Sequence, residues 1–68
     1  MSEDSRIVAI VCGVAQGLTV TVWLRSPAGD VLLADRPVAT MGEAEEAANR
    51  YAVQAGVPLH KVEFIHKP

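Results

Sequence analysis

Thr40-Met41-Gly42-Glu43 has the spacing of a capping box. A helix begins with backbone donors that find no partner inside it. The Thr40 hydroxyl can accept from the amide of Glu43, and the Glu43 carboxylate can reach back to the amide of Thr40. Downstream, Met41, Ala44, Ala47, Ala48, Tyr51, Ala52 and Ala55 keep to a 3.6-residue period and form one apolar stripe. Glu43, Glu45, Glu46, Asn49, Arg50 and Gln54 take the opposite face, with carboxylates near the positive end of the helix dipole and Glu46 four residues before Arg50. Gly56 supplies a left-handed cap, Val57 can fold back on the last turn, and Pro58 prevents continuation. The spacing therefore predicts a helix over 41–55.

On the N-terminal side of the helix the pattern changes to that of strands. Residues 1–5 read as a tail. Residues 6–14 are a nearly unbroken apolar run in which neither alternate set of side chains suits water, the mark of a central strand covered on both faces. Ala15-Gln16-Gly17 reads as a turn. Over 18–25 the residues alternate, with Leu18, Val20, Val22 and Leu24 on one side and Thr19, Thr21, Trp23 and Arg25 on the other. Ser26-Pro27-Ala28-Gly29-Asp30 reads as a hairpin loop, 31–35 as a third strand stopped by Pro37, and 60–66 as the last strand.

Two short connections make the first three strands an antiparallel meander, and the helix returns the chain so that the fourth strand runs parallel to the first. Placing the fourth strand on the free side of the first makes the first central, as its composition demands. The expected fold is a small α+β two-layer sandwich, β-β-β-α-β, with a four-stranded mixed sheet in the order 3-2-1-4 and one helix on one face. Residues 1–68 then form a single domain in which nothing remains to cover the other face.

Half of the 68 residues are apolar, and eight acidic against six basic residues give a formal charge of −2. A domain this small buries about 60% of its unfolded surface, so an apolar excess favours self-association. The scattered basic residues give no electrostatic footprint for nucleic acid or anionic lipid. One cysteine builds no internal disulfide, which fits a reducing compartment. The acidic segment ahead of the apolar run at 7–15 differs from a secretory signal, and that run is too short to span a bilayer. The expected location is the cytoplasm.

The hairpin Leu24-Arg25-Ser26-Pro27-Ala28-Gly29-Asp30-Val31, followed by Thr40, Glu43, Ala44, Ala48 and Ala52 at helical spacing, resembles small bacterial hairpin-helix-strand domains, the YegP-like ones among them. The element order is also similar to the truncated ribonuclease-H-like fold of HicB-type antitoxins, which neutralise a small toxin. Both resemblances imply a non-enzymatic protein, and neither transfers site residues.

Candidate chemistry is sparse. A ribonuclease-H-type metal site needs converging carboxylates, and the first strand offers none. Glu43, Glu45 and Glu46 read as a solvated helix face. His60 and His66, six strand residues apart, would lie about 20 Å from one another, too far to share a metal ion. Cys12, inside an apolar run, reads as a small buried hydrophobe. No catalytic, cofactor-binding or metal-binding residue is expected. Thr21, Trp23 and Arg25 are the candidate interface, since alternation puts them on the face away from the helix and large aromatics and arginine are typical interface anchors. The functional expectation is a small non-enzymatic cytoplasmic protein that binds itself, as a homodimer, or another protein. The alternative is an inhibitor or antitoxin-like protein from a mobile element that occupies a basic partner with its acidic helix face and a free sheet edge.

Overall fold

A computed structural model of the chain describes residues 4–14 and 17–67, without the side chain of Val14. Strands β1 (Arg6–Val14), β2 (Gly17–Ser26) and β3 (Gly29–Val38) precede helix α1 (Met41–Ala55), a short 3₁₀ turn (Leu59–Lys61) and strand β4 (Val62–Lys67). The sheet order is β3-β2-β1-β4, with β4 parallel to β1 and the other pairs antiparallel. This is the α+β architecture that the hydrophobic pattern predicts.

Helix α1 begins as its capping box dictates, with one shift. The Glu43 amide donates to the Thr40 hydroxyl at 3.2 Å, and Thr40 itself is extended. The Glu43 carboxylate, however, accepts from the amide of Ala39 rather than that of Thr40, so the reciprocal bond reaches one residue further back. At the other end Gly56 is left-handed (φ 73°), the Gly56 amide donates to the Val53 carbonyl at 3.1 Å, and the Val57 amide donates to the Ala52 carbonyl at 2.8 Å. That pair of bonds is a Schellman cap, and it carries Val57 back into the core.

One side of the sheet packs against the helix. Ile7, Ala9 and Val11 of β1, Val20 and Val22 of β2, and Ala44, Ala48 and Ala52 of α1 are buried together. The three alanines, spaced by four, let the helix backbone approach the sheet closely. Their small side chains also keep the core thin: among the described residues, the large side chains buried completely on this side are Ile7, Val11, Val20 and Val22.

Several boundaries differ from the sequence reading. Ser26 pairs with Gly29, so the hairpin turn is Pro27-Ala28 alone; Gly29 (φ 131°) adopts a backbone conformation that a side chain would disfavour, and the Ser26 hydroxyl donates to its carbonyl at 2.9 Å. β3 does not stop before Pro37 but runs through it to Val38. The strand is an edge, where a proline whose nitrogen points away from the ladder removes no bond. β4 starts at Val62, because Pro58 sets a turn in which the Lys61 amide donates to the Pro58 carbonyl at 2.9 Å. Ser5, expected in a tail, is buried. Residues 1–3 of that tail, and Ala15 and Gln16 of the expected turn, lie outside the described residues.

Candidate interface on the open sheet face

Directly opposed residues in a sheet share a face, so the pairings sort every strand residue. Across from the helix, one row holds Asp30, Arg25 and Arg6, and the next holds Leu32, Trp23, Val8 and Glu63. Asp35, Thr21, Ile10 and Ile65 form a third row, and Pro37, Thr19, Cys12 and Lys67 a fourth. Thr21, Trp23 and Arg25 therefore lie together on this face, with Thr21 and Trp23 half-buried and Arg25 exposed. Among the described residues no other element lies on it.

Val8 explains how β1 tolerates this position. It is 2% exposed although no helix covers it, and it takes no part in the core beneath the helix. Its neighbours on the face are Trp23 on β2 and Glu63 on β4, with Arg6 and Ile10 along its own strand. A broad indole beside it excludes water from the small side chain. Ile10 and Ile65 remain half-exposed, and Leu32 is exposed. The register also slips by one residue in β3 between the partners of Val22 and Trp23, so Leu33 interrupts the regular pairing and Leu32 is turned onto the open face.

Charges border this apolar centre and are matched among themselves. Arg6 lies 3.8 Å from the Glu63 carboxylate and Arg25 lies 3.6 Å from that of Asp30, each pair about half-exposed. The Thr21 hydroxyl lies 3.3 Å from the Asp35 carboxylate, to which it donates. With Lys67, the face holds Arg6, Arg25 and Lys67 against Asp30, Asp35 and Glu63, a formal charge of zero on a molecule of charge −2.

The remaining sequence candidates fall elsewhere. Cys12 is not in the core. It is half-buried on the open face, because β1 positions of even number point away from the helix, and its thiol lies 3.8 Å from the Gly13 carbonyl. His60 lies in the 3₁₀ turn rather than on β4, while His66 lies on the helix side with its Nε2 3.0 Å from the Met41 sulfur. Among the described residues no group of three or more His, Cys, Asp or Glu side chains could hold a metal ion, and no helix is long and apolar enough to cross a membrane. A wide groove of about 710 Å³ separates the end of β3 from α1, with Arg36, Glu43, Glu46, Arg50 and Tyr51 on its walls. Its Glu43 carboxylate is occupied by the helix cap. No family model, curated protein or solved structure matches the chain.

Proposed function

We propose that this chain is a small non-enzymatic binding protein that acts through protein–protein contacts, with the open sheet face as its working surface and a second copy of itself as the first occupant. The observation that carries the proposal is the pattern on that face: Val8, Ile10, Trp23, Leu32 and Ile65 at the centre, inside a border of balanced charge. An apolar centre with a polar rim is the anatomy of a specific interface. The neutrality of the face suits a like copy, which meets no net repulsion across the contact, and gives a strongly charged partner no complementary patch there.

Size is consistent with this occupant. Four strands about 4.8 Å apart, each contributing about eight residues of roughly 3.3 Å rise, present a face of about 500 Å². Two such faces stacked remove about 1,000 Å² from water, the lower bound for a specific interface and the size of weak, transient contacts. A closed two-fold arrangement follows because one surface meets itself. The single Cys12 suits a reducing compartment, and the cytoplasm is part of the proposal. The antitoxin-like alternative calls on a free sheet edge and an acidic helix face; Pro37, the register slip at Leu33 and the charges of Asp30, Asp35 and Arg36 discourage strand addition at β3, which leaves β4 as the edge it would need.

Thr21→Lys tests the reading. It places an ammonium at the centre of the face, beside Asp35, without touching the helix side of the sheet. Sedimentation of the parent should give an average mass that rises with concentration through the micromolar range, and the variant should lag behind it with unchanged helical circular dichroism. A parent of constant mass, or a variant that follows the parent, contradicts the proposal.

A further inference from the structure

We infer that a second copy of this chain also adds to the free edge of β4, antiparallel and about a two-fold axis at Ile65, so that the sheet continues from one copy into the other. The two edges of the sheet are not alike. β3 carries a proline, a register slip and three charges. β4 carries no proline and pairs with β1 in unbroken register from Val62 to Lys67. Phe64, 40% exposed, sits on this edge on the helix side. An edge strand with intact amides and an exposed aromatic is a template for another strand unless its charges prevent it, and the charges of β4 are Glu63 and Lys67, which a second strand must match.

The sequence of β4 selects the register. In an antiparallel ladder opposed residues share a face, so about a two-fold axis normal to the sheet each residue can oppose only itself or a residue an even number of places away. An axis at Glu63 sets two carboxylates against each other. An axis at Phe64 sets Glu63 against Ile65, and one at His66 sets Ile65 against Lys67. An axis at Ile65 instead opposes Glu63 to Lys67 of the second copy on the open side and Phe64 to His66 of the second copy on the helix side. Symmetry makes each of these pairs twice. Of these four registers, only that at Ile65 pairs opposite charges, and such cross-strand pairs favour the register that forms them.

The side chains are free to take these roles. Glu63 is half-exposed even with Arg6 at 3.8 Å, and a carboxylate has acceptor sites for a second cation. Lys67 is exposed and makes no ion pair among the described residues. His66 is steadied on the helix side by the Met41 sulfur 3.0 Å from its Nε2. A two-fold axis normal to the sheet keeps both open faces on one side, so edge addition is compatible with face stacking and does not depend on it.

Charge exchange tests the edge in the Thr21→Lys background, where stacking is weakened. Glu63→Lys or Lys67→Glu added to that background should each weaken the residual dimer at least roughly tenfold by sedimentation, and the two together should restore it to within about threefold. A second variant carrying Thr21→Lys, Cys12→Ser and Ile65→Cys should form a disulfide-linked dimer under mild oxidation, because opposed Cα atoms about 4.5–5.5 Å apart suit a disulfide. The Thr21→Lys variant itself, whose Cys12 lies on the same open face but one strand in from the edge, should not. A combined exchange as weak as the single ones, no residual dimer in the background, or an Ile65→Cys variant that links no faster than Thr21→Lys alone would each overturn the inference. The face contact is read separately, from Thr21→Lys against the parent.

Discussion

Trp23 is opposed to Val8 on a face that the helix does not reach, and Val8 is nonetheless almost wholly buried. The indole therefore has a role within one copy, besides the one proposed for it between copies. Trp23→Thr keeps a strand-forming residue but uncovers Val8, and with a half-buried aromatic lost it should cost about 1–2 kcal/mol in thermal melts while also weakening association. A variant that melts with the parent would remove Trp23 from the description of Val8. At the head of α1, the Thr40 hydroxyl accepts from the Glu43 amide and the Glu43 carboxylate accepts from the Ala39 amide. Thr40→Ala removes the first bond and should cost about 1 kcal/mol, read in the same melts.

The helix and the sheet meet through small side chains. Ala44, Ala48 and Ala52 lie fully buried against Ile7, Ala9, Val11, Val20 and Val22, and the layer spacing is set by methyl groups. Ala48→Leu at the middle of this stripe has no room without lifting the helix, and should destabilise the fold by about 1–3 kcal/mol despite the higher hydrophobicity of leucine. An unchanged or raised melting temperature would show that the layers are loosely packed. These elements were legible in the sequence because each carried its own period: the capping box and alanine stripe for α1, the two-residue alternation for β2, the doubly apolar run for central β1. The order of the strands followed from connection lengths. What escaped notice depended on partners rather than on period. Pro37 belongs to a strand because that strand is an edge; the Leu33 slip appears only when β2 lies beside β3; and Cys12, in a run apolar on both sides, gave no sign of which face it would take. The placement of Thr21, Trp23 and Arg25 on one face was readable from alternation alone. The border of matched charges around them was not, since Glu63, Asp30 and Asp35 come from other strands.

Over the whole molecule, a thin core and a face that no other element covers among the described residues are the grounds for proposing a second copy. Face stacking and β4 addition use different two-fold axes, one lying in the plane between stacked sheets and one normal to a sheet. With the two axes intersecting at right angles they close into a four-copy assembly of dihedral symmetry. Sedimentation should then separate the steps: the parent approaches four copies, Thr21→Lys stops at two, and Thr21→Lys with Glu63→Lys remains a single copy. A Thr21→Lys variant that assembles as far as the parent would leave the face without a role. Cys12 offers a direct view of that face, because its thiol is half-buried there within one copy and would lie under the second. Its rate of reaction with a neutral thiol reagent, followed from dilute to concentrated protein, should fall as copies stack and should lose that concentration dependence in Thr21→Lys. A rate that is the same at every concentration in the parent, over a range where the protein demonstrably associates, would mean that the open face stays open.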